Sequence, residues 1–157
     1  MYILQTDTED RIPVGISLIE AEDWEQLTVA DFFFDWKRVN GSQLWKLTQV
    51  RSPYILGVMS LIDYPVESRI EIHLLASRRQ AVGQGKKYSR IAGCLMAWAC
   101  RLAVQRYAQS ACVSLIPKTE LRHHYRNAYG MMDAGWQLFL EDAPLYDLLK
   151  KYLYDES

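Results

Sequence analysis

The chain alternates between two kinds of hydrophobic spacing. Over "LWKLTQV" (44–50), "YILGVMSLID" (54–63) and "RIEIHLLA" (69–76) apolar residues recur at short intervals, and turn signals "SPY" and "DYPVES" separate the runs. In the third run Ile70, Ile72 and Leu74 share one face, with Glu71 and His73 on the other. Three strands so close in sequence predict an antiparallel meander. From Lys86 to about Tyr107 the period becomes helical: Ile91, Leu95, Trp98 and Leu102 form a stripe widened by Cys94, Met96, Ala97, Ala99 and Ala103. Such a helix needs cover on most sides. Gly93 inside it costs about 1 kcal/mol against alanine, so close packing on a neighbour is expected there. A short buried strand "CVSLIP" (112–117), a helix over 118–130 ending at Gly130, a strand "WQLFLE" (136–141) and an amphipathic helix over 144–154 follow. The stretch "AEDWEQLTVADFFFDWKRV" (21–39) is expected to be helical. The pattern is that of an α+β domain with a mixed sheet.

Composition narrows the setting. The chain has 157 residues, half of them hydrophobic, which suits one domain over 1–157 with a substantial core. A net charge of -1 supplies no general attraction to nucleic acid or anionic membrane, and argues against nucleic acid as a partner. Cys94, Cys100 and Cys112 lack metal-ligand spacing and read as core residues of a reducing compartment. No run approaches the roughly 18 apolar residues of a membrane span, and the acidic start "MYILQTDTEDRIP" is not a signal peptide. A cytoplasmic protein is expected. No His, Cys, Asp or Glu grouping suggests a metal site.

The candidate chemistry lies between the third strand and the long helix, in Gln80-Ala81-Val82-Gly83-Gln84-Gly85-Lys86-Lys87. First-turn amides of a helix lack intrahelical partners and sit at the positive end of its dipole. Glycines let backbone approach an anion closely, so the turn suits a phosphate, with Arg78, Arg79, Lys86 and Lys87 adding charge. The segment fits neither a Walker loop nor a dinucleotide-binding fingerprint: the G-K-[ST] ending is absent and Tyr88 takes the third glycine's place.

Gln80-x-x-Gly83-x-Gly85, placed between a meander and a long apolar helix, resembles the Q/R-x-x-G-x-G/A signature of the GNAT superfamily of N-acetyltransferases. "HHYRNAYGMMDAGWQLFLE" (123–141) resembles its second landmark, a tyrosine on a short helix before a glycine and a last long strand, although Met131 stands where an aromatic is usual. The resemblance covers roughly residues 44 to 141, and the whole chain is similar to a small bacterial subgroup of the superfamily. It implies a GNAT fold, a central twisted and mostly antiparallel sheet splayed at the cofactor strand and flanked by helices. It also implies acetyl-CoA as co-substrate and direct acetyl transfer to an amine on a small molecule or protein. Amides at Val82, Gly83 and Gly85 through Lys87, with Gln80 at the start, would hold the pyrophosphate. Leu75 would donate its N–H to the acetyl carbonyl. Tyr125, with Tyr129 as alternative, would protonate the leaving thiolate, and Glu71 or His73 would serve as base. A rival outcome is a silent acyl-CoA-binding module with a regulatory or partner-binding role. Asp31 or Asp35 could draw a cationic acceptor, and the Phe32–Phe34 run and the C-terminal helix leave room for a homodimer.

Overall fold

The structure is a computed structural model that describes residues 1–39, 43–81 and 87–154. Its first elements are a hairpin, β1 (Tyr2–Gln5) and β2 (Arg11–Leu18), paired with Tyr2 opposite Pro13. The expected helix over 21–39 is instead a series of short turns. These are a 3₁₀ turn at Ala21–Gln26, a single helical turn α1 (Val29–Phe32) and a second 3₁₀ turn at Trp36–Arg38. Local capping explains the interruption. Asp23 and Glu20 cap each other, the Thr28 hydroxyl accepts the Asp31 N–H at 3.1 Å, and the Asp35 carboxylate accepts the Lys37 N–H at 3.2 Å. Each polar side chain starts a new turn instead of extending the previous one.

The meander is present as β3 (Gln43–Gln49), β4 (Ile55–Tyr64) and β5 (Arg69–Ser77), each pair antiparallel. Then come β6 (Tyr88–Ser89), α2 (Ile91–Tyr107), β7 (Cys112–Leu115), α3 (Arg122–Tyr129), β8 (Met132–Ala134), β9 (Gln137–Glu141) and α4 (Asp142–Leu149), the last continuing as a π turn at Lys150–Tyr154. Among the described residues nine strands form one mixed sheet in the order β6-β1-β2-β3-β4-β5-β7-β9-β8, with only β5 and β7 parallel. Gly130 ends α3 in the left-handed conformation, φ 70°, as a C-terminal glycine should.

The long helix starts at Ile91 and not at Lys86. The Lys87 N–H donates to the Ala81 carbonyl at 3.2 Å, the Lys87 carbonyl accepts the Thr6 N–H at 3.0 Å, and Tyr88–Ser89 pair with β1. These residues belong to the sheet. Arg90 then bonds the Tyr2 carbonyl at 3.2 Å and stacks on the Tyr2 and Tyr152 rings, fixing where the helix begins.

Two apolar clusters sandwich the sheet. On one face Leu56, Met59, Leu61, Ile70 and Ile72 meet Ile91, Leu95, Met96 and Ala99 of α2. On the other Ile55, Val58 and Ala76 meet Leu27, Phe32 and Trp36 from the turns after β2. β4 serves both clusters by alternation, as adjacent Val58 and Met59 show, and β4 and β5 each also carry a bulge. Leu56 is the extra residue opposite β3, and His73 is the extra residue opposite β4, between the pairs Leu61–Ile72 and Ser60–Leu74. A bulge inverts the facing of the residues beyond it, so Leu74 lies with the second cluster and not beside Ile70 and Ile72 as simple alternation implies. Among the described residues no group of His, Cys, Asp and Glu could hold a metal ion, and no helix is long and apolar enough to cross a membrane.

Two glycines make the packing of α2 possible. A Cβ on Gly57 would lie 2.7 Å from Ile91 Cγ2, and one on Gly93 would lie 2.2 Å from Tyr152 Cζ. Gly93→Ala should therefore lower unfolding free energy in urea by up to about 2 kcal/mol, since overpacking costs about 1–3 kcal/mol against a gain of about 1 kcal/mol in helix propensity. Adding Tyr152→Leu should recover part of the loss; full stability of the single variant would show that Tyr152 does not impose the glycine. Burial also raises the Cys94 thiol from 9.0 to about 11. The unfolded chain ionises first, so this contribution to stability is complete below pH 9 and disappears toward pH 11. Urea midpoints should stay level from pH 7 to about 8.5 and fall above about 9, less steeply in Cys94→Ala.

Candidate active site

β5 and β7 run side by side only from the Arg69–Cys112 pair to the Ile72–Leu115 pair. Beyond Ile72, β5 bulges at His73 and continues to Ser77, whereas β7 stops at Leu115 and the chain turns through Pro117 into the Thr119–Leu121 turn and α3. Proline cannot donate to a ladder, so the pairing has a chemical reason to end there. The strands part into a V holding a cleft of about 330 Å³. Its walls are the Ile72–Ser77 edge, Leu115 to Lys118, Leu121 and Tyr125, Ala92 of α2, and Phe33 and Phe34.

The free edge of β5 is directional. The Arg78 N–H donates to the Leu56 carbonyl at 2.8 Å, so Arg78 faces β4. Backbone groups alternate sides along a strand, which turns Ala76 toward β4 and Leu75 and Ser77 toward the cleft. Among the described residues no strand lies opposite this stretch in the sheet.

Tyr125 projects from α3 into the cleft, and burial raises its phenol above the usual tyrosine range. Tyr129, with ring centroid 5.8 Å away, is not part of the wall. Its phenol is raised further, by burial first and then by Tyr152, Tyr125 and Cys94. His73 and Glu71 are neighbours as their spacing predicts, with Nδ1 3.8 Å from Oε2, but they are placed differently. His73 is about half exposed and lines the cleft, whereas Glu71 is buried behind it. Arg69 holds Glu71 at 3.6 Å, bonds the Ser114 hydroxyl at 2.8 Å and Glu67 at 2.5 Å, and lies on the Tyr64 ring. Nothing in the sequence pattern singles out Arg69 or Ser114, because the partner strand that brings Ser114 alongside lies 45 residues away.

Val82, Gly83, Gly85 and Lys86 lie outside the described residues. The Lys87 amide is already bonded to Ala81, so it is not a free phosphate donor, and the first-turn amides of the long helix belong to Ile91, Ala92 and Gly93. Of these residues Ala92 lines the cleft. Gln80 points the other way and donates from Nε2 to Asp31 at 2.8 Å. That bond, then Thr28, Arg78 and Arg79, lowers the Asp31 carboxyl against a smaller effect of burial. Asp31 is thus engaged within the protein and is not an open anionic site for an acceptor. Phe32 is fully buried, whereas Phe33 and Phe34 reach the cleft, a division the run "FFF" does not reveal.

Removing the cation that offsets Glu71 should be costly. Arg69→Met is expected to lower unfolding free energy by about 2 kcal/mol, because a buried carboxylate loses its partner. Arg69→Met/Glu71→Leu should be more stable than the single variant in the same urea titration; equal loss in both would mean the pair contributes nothing.

No protein-family model matches the sequence, and no curated protein does. Solved structures do match. A GNAT family acetyltransferase from Elizabethkingia anophelis with acetyl-CoA bound superposes with a TM-score of 0.59 at 13% identity, over 82% of this chain and 98% of that one. An acetyltransferase from Bacillus subtilis in complex with CoA gives 0.58 at 10% identity, over 83% and 99%. A dodecameric spermidine N-acetyltransferase from Vibrio cholerae gives 0.58 at 11% identity, over 92% and 98%. At these identities the likeness is one of architecture, and the splayed nine-stranded sheet with its flanking helices is the GNAT fold.

Proposed function

We propose that the chain is an N-acetyltransferase that moves an acetyl group from acetyl-CoA directly to an amine. The observation that carries this reading is the unpaired edge of β5, with Leu75 and Ser77 turned into a cleft that reaches the start of α2. A pantetheine arm carries amides at the spacing of an extended chain and can pair with such an edge as an added strand. The adjoining helix start offers amide dipoles to the diphosphate, aided by Val82, Gly83, Gly85 and Lys86 of the 82–86 segment and by the Lys87 ammonium. The bound thioester supplies an activated acyl carbon.

This chain's residues then divide the proton and charge work. The Leu75 N–H donates to the acetyl oxygen as negative charge gathers there during attack. As the N–C bond forms and the C–S bond breaks, the Tyr125 hydroxyl gives its proton to the departing sulfur. A thiol of ordinary pKa near 8.5 is a good leaving group, so a phenol, protonated at neutral pH, is an adequate donor, and burial raises this one further. His73 takes the amine proton. With Nδ1 turned to Glu71 at 3.8 Å, Nε2 is the nitrogen left for the cleft, and Glu71 balances the charge that His73 acquires.

Coenzyme A at 100 times its Kd should stabilise the protein by about 2.7 kcal/mol, a rise in Tm of roughly 5–10 °C for a chain of this size. Tyr125→Phe should lower kcat for thiol release about 100-fold while leaving that rise intact. Unchanged kcat would remove Tyr125 from the acid role. Binding without thiol release across a broad amine panel would mark the protein as a silent acyl-CoA-binding module, and no rise in Tm at all would end the transferase reading.

A further inference from the structure

We infer that the acceptor is an apolar primary amine, best an arylalkylamine, and that Phe33 selects it; the inference rests on the transferase reading above. The cleft passes through the sheet. Ala92 stands at one end on the α2 face, and Phe33 and Phe34 stand at the other, on the face built from Leu27, Phe32 and Trp36. With the thioester along β5 and against α2, the part of the wall left for an acceptor is His73, Phe33 and Phe34. No wall residue is a carboxylate; the ionisable ones are His73, Lys118 and Tyr125. The nearby acids are engaged, Asp31 by Arg78 and Gln80, Asp35 by Arg38 at 3.2 Å, and Glu71 by Arg69. A polycation would therefore lose hydration at this mouth without meeting a free counter-charge, which is unfavourable. An amine on an apolar body loses less, and desolvation shifts it toward the neutral form that attacks. A spermidine acetyltransferase shares the fold, so the architecture alone does not fix the acceptor and the wall residues must.

Phe33 adds an independent observation. It closes α1 at φ 71° and ψ -22°, a left-handed position where glycine is the usual residue and a bulky side chain is strained. Burial does not offset that strain, for the residue is 42% exposed while its neighbour Phe32 is fully buried. The Arg79 guanidinium instead covers one side of the ring at 4.2 Å from its centroid, itself tied by Nε–H to the Ala30 carbonyl at 2.8 Å. Backbone strain that holds an exposed aromatic ring at the mouth of a cleft is the pattern of a recognition residue. The Arg79 guanidinium is thereby held as a cation beside Phe33, which a polyamine would also have to approach.

The test is thiol release from acetyl-CoA with phenethylamine, spermidine and kanamycin, run beside the coenzyme A thermal shift. Phenethylamine should have the highest kcat/KM, by about 10-fold or more. Phe33→Gly should raise its KM about 10-fold with kcat little changed, while Tm stays within about 2 °C because relief of the left-handed strain offsets the lost ring contacts. Phe33→Asn, which also tolerates that backbone, should reproduce the KM change. Any other acceptor preference, or an unchanged KM in both variants, overturns this inference alone when the coenzyme A shift is present. Loss of that shift in the unmodified protein overturns the transferase reading and this inference with it.

Discussion

A parallel ladder that stops after the Ile72–Leu115 pair organises the molecule. Main-chain groups in a sheet are ordinarily paired on both sides, and leaving a stretch of edge open in the middle of a sheet is costly unless something else can pair with it. Here the opening is built in from both strands. A bulge at His73 turns β5 aside, and Pro117 takes the other chain away toward α3. The cleft, the direction of the Leu75 N–H and the position of Tyr125 all derive from that divergence. The two apolar clusters hold it open, one against α2 and one against the turns that carry Phe32 and Trp36.

Most of the frame is legible in the sequence because it rests on local periodicity. The meander, the buried helix, the last long strand and the glycine at the end of α3 all announce themselves within a few residues. The N-terminal third misleads for an equally local reason: its apolar residues have helical spacing, but Glu20, Thr28 and Asp35 each cap a fresh turn, and a capping side chain competes with helix continuation without changing the hydrophobic pattern. The true start of α2 is not legible, because pairing of Tyr88–Ser89 with β1 is a contact across more than eighty residues.

The candidate site divides along the same line. Tyr125, Glu71 and His73 are reached through the resemblance to GNAT proteins, and the structure brings His73 and Tyr125 to one cleft. That Glu71 sits behind His73 and is held by Arg69 depends on the strand that supplies Ser114, so it is hidden. The acceptor wall is hidden more deeply. Three identical side chains in a row give no hint of which is buried, and the left-handed backbone at Phe33 that settles it has no signature in the letters.

The extra residue in β5 also separates two demands that usually conflict. A position inside a central strand is normally fixed by packing, so its side chain is not free to vary with substrate. At His73 the backbone supplies the phase shift that turns Leu74 and Ala76 to the second cluster, while the side chain is about half exposed in the cleft. Evolution can therefore exchange the functional group at that point without rebuilding the interior, provided the number of residues in the strand stays the same.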